Sequence, residues 1–348
     1  MYITTKSSLP FPFVVSLYLC HRLYCKKQLT SIHILNVTCK MSSSKQTRKV
    51  TIVGASGNIG APILSALLAA GHKTSVLTRP SSTTTTTYPQ SVTVHVGDYN
   101  DEAFATAALR GQDVLVLVPA HSAVAIQTPL IRAAAAAGVP YVLPCEFGSD
   151  PAHEKLNAEL DLMRAKAPYR ALIEDLGVGS WIGVVNNPWV EFSMRHGLYG
   201  IDLRERVAML YDGGDVKATL TSFARVGESL AALFALSDEE LARHKNSFVY
   251  LSSFRVSQRD LLASAMRVAG DEDWSVTSVS TDEVLRKARG PEADRWARLM
   301  ALYAAIFKDG YGGDYSAKVV DLGLEDEELD EVMKKLVDEA DGKSTYLG

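Results

Sequence analysis

The stretch "TIVGASGNIGAPILSALLAAGHKTSVLTRP", residues 51–80, sets three glycines three residues apart between an apolar run and an amphipathic one. Residues 50–53 suit a buried strand. Behind the glycines, Ile59, Ile63, Leu64, Leu67 and Leu68 share one helical stripe, Pro62 is early enough for a first turn, and Gly71 suits a helix end. Residues 74–77 read as a second strand. In this strand-loop-helix setting Gly54 permits the tight turn, Gly57 lets backbone approach a pyrophosphate, and Gly60 allows the helix to pack closely on the strand. Backbone N–H groups and the helix dipole then favour a phosphate. The expectation is a dinucleotide site rather than a turn that only links two elements. An acid after the second strand would bind adenosine ribose hydroxyls and select NAD. This chain instead has Thr78, Arg79, Pro80, Ser81 and Ser82. Arg79 offers a planar donor fork to a 2′-phosphate, so NADP(H) is the expected cofactor.

Working outward, short β-branched runs at 92–96, 114–118, 141–143 and 181–185 alternate with helix-like stretches at 59–70, 101–108, 123–137 and 156–176. Runs without polar alternation suit strands covered on both faces, with the helices as crossovers. The fold class is therefore α/β: a Rossmann-like, doubly wound parallel sheet. The threonine run at 83–87, with Ser81 and Ser82, reads as a surface loop. Past residue 185 aromatics and turns dominate, then come helical patterns at 226–236 and 256–270, a strand pattern near 247–252 and an acidic amphipathic helix near the end. We expect a nucleotide-binding domain over 41–187. A smaller α/β substrate lobe over 188–348 would lend the strand near 247–252 to the sheet.

Composition limits the partners. With 348 residues, 47% hydrophobic and 22% charged, the chain is globular, and a net charge of -4 leaves no basic footprint for nucleic acid or a membrane surface. The first forty residues differ: five cations (Lys6, Arg22, Lys26, Lys27, Lys40), no acid, and three of the four cysteines (Cys20, Cys25, Cys39). Without those cations the formal charge would fall from -4 to -9. The apolar run at 9–20 is too short to span a bilayer and within the range of a signal-peptide core, but it lacks a strongly basic start and a clear small-x-small cleavage site, which favours Met41 over a targeting segment. Residues 1–40 are expected to form an extension outside the fold, with Met41 as the functional start. Past Met41 only Cys145 remains, which suits a reducing, cytoplasmic setting. The eight histidines and Cys145 show no ligand spacing, so no metal site is expected.

The opening stretch, "GDYND" at 97–101, "DVLVLVPA" at 113–120 and "VPYVLPCEFGSDP" at 139–151 together resemble the isoflavone reductase and NmrA-like family of atypical short-chain dehydrogenases, most of all its fungal members. The likeness runs over roughly residues 49 to 340, through "MRAKAPYRALIEDLG", "VVNNPW" and "VYLSSFRVSQRDLL". It implies NADPH held by Gly54, Ser56, Gly57, Asn58, Ile59 and Gly60, by Thr78 and Arg79, and along Pro119 and Phe147. It also implies Asp98 near the adenine. For Asp98 and Asp101 the competing role is helix capping, and for Phe147 it is core packing. Where the plant reductases carry Ser-Glu-Phe-Gly beside the nicotinamide, this chain has Cys145, Glu146, Phe147 and Gly148.

The family's catalytic lysine sits in a pattern Lys-Ala-x-x-Arg-x-x-Ile-Glu, matched here by Lys166, Ala167, Arg170, Ile173 and Glu174. Lys166 and Arg170 are expected on one helical face. An ammonium buried against a cofactor would lose proton affinity and serve as a proton donor or acceptor, whereas a lysine on an open helix face would simply be solvated. From Met41 onward no tyrosine has a lysine four residues later; the one such pair, Tyr2 and Lys6, lies in the leading forty residues. That argues against sugar epimerases and ordinary alcohol dehydrogenases. Asn186, Asn187 and Trp189 follow the sixth strand pattern, where a substrate would bind, with Phe192 and Tyr199 as further wall or core residues. Two functions stay open: an NADPH-dependent reductase of an aromatic or polyketide-type small molecule, and a dinucleotide sensor that regulates a partner protein without turnover.

Overall fold

The computed structural model describes residues 46–80, 87–159, 165–271 and 273–343. The expected extension at 1–40, most of the expected 81–87 loop and the middle of the expected 156–176 helix lie outside the described residues. Among those described, twelve strands run β1 Lys49–Val53, β2 Lys73–Thr78, β3 Thr93–Val96, β4 Val114–Leu117, β5 Tyr141–Leu143, β6 Ser180–Val185, β7 Ile201–Asp202, β8 Val207–Tyr211, β9 Ala218–Leu220, β10 Ser247–Tyr250, β11 Phe254–Val256 and β12 Ser275–Val279.

Seven of them form the main sheet in the order β10-β6-β5-β4-β1-β2-β3, with each neighbouring pair parallel. Successive residues of a strand face opposite sides, and here both sides are apolar. Val114 and Val116 point into one core with Val50, Ile52, Ile182 and Val184. Leu115 and Leu117 point into the other with Val53, Leu77 and Trp181. Helix α1 (Gly60–Ala69) and the helix Phe223–Phe234 cover the first face. Helices α2 (Glu102–Leu109) and α3 (Gln127–Ala137), with the helix Ala167–Leu176, cover the second. Chain order reverses between β1 and β4, so the carboxyl ends of these two strands open a crevice at the topological switch point.

A third core, around Tyr199, Tyr211, Trp274 and Phe307, lies under the three-stranded sheet β12-β8-β7 and the helices of the second half. The halves interleave. β10 extends the main sheet beside β6, and the helix Phe223–Phe234 approaches α1 so closely that a β-carbon on Gly227 would meet the Pro62 carbonyl oxygen at 2.5 Å.

Two expected helices differ in the structure. Residues 121–126 form a 3₁₀ turn before α3 begins at Gln127, which puts Pro129 in the first turn, where its missing N–H costs nothing. Within the expected 156–176 helix, Ala165 and Lys166 form a turn and the helix starts at Ala167. Pro168 explains the break, because proline fits the first turn of a helix and not its interior.

Candidate active site

The loops leaving β1, β2, β4, β5 and β6 line one cavity of about 880 Å³. Its floor is the glycine loop. Gly54 has φ +87, a left-handed conformation natural only to glycine, and a β-carbon there would overlap the Val118 carbonyl at the end of β4. A β-carbon on Gly60 would overlap the Gly54 carbonyl oxygen, so α1 can begin where it does only because residue 60 has none. Gly54, Ser56, Gly57, Asn58 and Ile59 lie on the cavity wall, while Gly60 supports them from below.

At one end, Thr78 and Arg79 leave β2 beside Tyr88 and Tyr99. The Arg79 guanidinium stands 5.9 Å from the centre of the Tyr99 ring, and the Tyr99 hydroxyl donates to the Leu77 carbonyl at 3.1 Å, fixing that ring. Asp98 is not among the wall residues: its carboxylate accepts from the Asn100 backbone N–H at 2.9 Å and the Asn100 amide at 3.1 Å. Asp101 caps α2 by accepting from the Phe104 N–H at 3.0 Å.

Pro119 and Ala120 carry the wall from β4 to the far end, which Cys145, Phe147, Lys166, Trp189, Phe192, Leu302 and Tyr303 enclose. The segment Cys145–Gly148 is firmly held. Cys145 N–H donates to Gln127 Oε1 at 2.7 Å, and the Gly148 carbonyl accepts from the N–H groups of Asn186 and Asn187 at 2.9 and 3.1 Å. Lys166, just ahead of its helix, donates from Nζ to the Glu146 main-chain carbonyl, while the Arg170 guanidinium pairs with the Glu146 carboxylate. Ile173 is buried in the core and Glu174 accepts from the Trp181 indole at 2.6 Å, so Lys166, Arg170, Ile173 and Glu174 of the lysine pattern are all held in place.

Burial pulls the Lys166 ammonium below the ordinary lysine range. Glu146 and Cys145 oppose that pull, and Arg170 adds to it. The Cys145 thiol is pushed up by burial, with Lys166 acting against it. Burial also holds the Tyr303 hydroxyl up, at about 12, and it pairs with Ser193 Oγ at 3.1 Å.

Of the expected substrate residues, Asn187 and Trp189 reach the wall, whereas Asn186 is fully buried and is not among the wall residues. Asn187 has φ 51 and spends its amide N–H groups on the carbonyls of Thr219 and Gly313 at 2.8 and 2.9 Å. Asn187 Oδ1 and the Trp189 indole N–H have no hydrogen-bond partner among the described residues. Sequence reasoning missed Leu302 and Tyr303, which come from the helix Arg295–Ile306 more than a hundred residues beyond β6. Of the two roles left open for Tyr199, wall or core, the structure shows the core: its side chain packs against Tyr303 and Phe307. No helix among the described residues is long and apolar enough to cross a membrane.

A doubly wound parallel sheet with a glycine loop at its switch point and a deep cavity along the strand ends defines a Rossmann-like α/β protein. The chain belongs to the isoflavone reductase and NmrA-like family. The model of the NmrA-like family matches residues 46–185. Oxidoreductase aprR of Aspergillus flavus is 30% identical over 279 residues, covering 77% of this chain and 90% of that protein. Oxidoreductase poxI of Penicillium oxalicum is 31% identical over 252 residues, covering 69% and 76%. Among solved structures, the binary complex of leucoanthocyanidin reductase with NADPH from Vitis vinifera superposes with a TM-score of 0.66 at 20% identity, over 83% of this chain and 99% of that one.

Proposed function

We propose that the protein is an NADPH-dependent reductase of a small aromatic or polyketide-type metabolite, with Lys166 as the proton donor or acceptor. The observation that carries this reading is the charge on the cavity wall: Arg79 at one end, Lys166 at the other, and no carboxylate among the described lining residues. Without an acid to bind ribose hydroxyls, and with Arg79 ready for a 2′-phosphate, the wall suits NADPH over NADH.

The residues fit such a cofactor on two further counts. Gly54 makes the tight turn against β4, Gly57 presents bare backbone for a pyrophosphate, and α1 begins at the same place. When bound, NADPH supplies the hydride. The names of the fungal relatives, both oxidoreductases, and the NADPH complex of the Vitis protein support the assignment.

The protein's own work falls at the far end of the cavity. Trp189, Phe192, Leu302 and Phe147 exclude water and favour a flat apolar substrate. Lys166, held by the Glu146 carbonyl and lowered in proton affinity by burial, is placed to exchange a proton with the substrate. The single thiol past Met41 suits a cytoplasmic setting.

Titration with NADPH and NADH, followed by NADPH oxidation against a panel of aromatic enones and ketones, tests the proposal. Tighter NADPH binding and turnover of at least one class are expected. Cys145, where the plant reductases have serine, favours a second reading as a dinucleotide sensor. Tight NADPH binding without turnover, together with capture of a protein partner only in one redox state, would support that reading instead.

A further inference from the structure

Glu146 serves Lys166 and Arg170 at once. It is 2% exposed, its main-chain carbonyl accepts the Lys166 ammonium, and its carboxylate is paired with Arg170. The guanidinium is in turn held over the rings of Trp181 and Phe248, 5.5 and 5.1 Å from their centres. Trp181 is anchored through its indole to Glu174. The main chain around Glu146 is fastened on both sides, by Gln127 at Cys145 and by the two asparagine N–H groups at Gly148. The groups that bear electrostatically on Lys166 are the Glu146 carboxylate, the Arg170 guanidinium and the Cys145 thiol.

We propose that Glu146 is the positioning residue for Lys166: its carbonyl seats the ammonium on the cavity wall, and its carboxylate, balanced by Arg170, sets the charge that the ammonium faces. This rests on Lys166 being the group that moves the proton. A glutamate that merely braced the loop would affect stability and leave the titration of Lys166 unchanged. A glutamate that sets the lysine's surroundings affects the titration itself. In Glu146→Gln the side chain keeps nearly the same shape, but the permanent positive charge of Arg170 then faces Lys166 without compensation, so the ammonium releases its proton at lower pH.

The test is an NMR titration of the full-length protein after reductive methylation of its lysines with ¹³C-formaldehyde. The Lys166 signal is identified by its absence in Lys166→Ala. We expect Glu146→Gln to lower its midpoint by at least about one pH unit, a tenfold change in proton affinity, and the charge-preserving Glu146→Asp to stay close to wild type. An unmoved midpoint in a folded Glu146→Gln protein overturns the proposal. Should that variant not fold, Arg170→Gln carries the test with the opposite sign, since an unbalanced carboxylate raises the midpoint; no rise again overturns it. The readout is the lysine's own proton affinity, so a failure of Lys166 as the catalytic group would show separately, as unaltered turnover in Lys166→Ala.

Discussion

The backbone of Gly60 packs directly onto the carbonyl group of Gly54, leaving no room for a β-carbon at position 60. The turn after β1 and the start of α1 therefore depend on one missing methyl group. Gly60→Ala should cost about 1–3 kcal/mol, the usual range for overpacking. It should also weaken NADPH binding, because the floor of the cavity has to move. Thermal unfolding and a fluorescence titration of NADPH check both effects.

Arg79, stacked on Tyr99, is the only cation at its end of the cavity wall among the described residues. Arg79→Gln should weaken NADPH by roughly ten- to a hundredfold, as expected for losing hydrogen bonds to a charged group at about 1.5–3 kcal/mol. NADH affinity should hardly change. Equal loss for both cofactors in calorimetric titrations would remove the 2′-phosphate assignment.

Asn187 is at the cavity wall, yet its amide group joins the end of β6 to Thr219 and Gly313 in a left-handed conformation. Asn187→Ala should therefore destabilise the fold by roughly 2–4 kcal/mol, through the loss of both amide bonds, the Gly313 carbonyl keeping only the Thr219 N–H, and an unfavourable φ. Urea unfolding reads this directly, and a variant as stable as wild type would contradict the structural role.

His72 gives the fold a pH dependence. Its Nδ1 accepts from the Arg48 N–H at 3.1 Å, so Nε2 carries the proton toward the Ala231 carbonyl at 3.0 Å. Burial lowers its proton affinity, the Ala231 bond opposes that, and the Arg48 charge adds to the lowering. Because the folded value lies below the ordinary 6.5, the unfolded chain binds more protons in the window beneath 6.5. Stability should be full above that pH and fall as acid is added. Urea midpoints measured from neutral pH downward should show this slope, and His72→Phe should flatten it.

Sequence alone made the parallel sheet legible because its inner strands are covered on both faces and so read as unbroken apolar runs, while the edge strand β3 is largely exposed. The glycine loop was legible for a related reason: its spacing has meaning only between a strand and a helix. What stayed hidden depends on long-range contact. Nothing near Glu146 announces that its carboxylate meets Arg170, 24 residues on, while its carbonyl meets Lys166. Leu302 and Tyr303 belong to a helix with no motif of its own. For Asp98 and Tyr199 the sequence left a ligand role and a structural role open; an Asx turn engages the first and the second-half core encloses the other. The helix expected over 156–176 ran through Pro168, whose effect as a breaker puts Lys166 ahead of the helix and not within it.

The most direct test of the account is NADPH oxidation by wild type and Lys166→Ala, side by side, on whichever aromatic enone or ketone the panel shows to be turned over. The account predicts a loss of about 10²–10⁴-fold in kcat, the usual worth of a positioned proton donor, with NADPH affinity unchanged. Wild-type turnover by Lys166→Ala would contradict it.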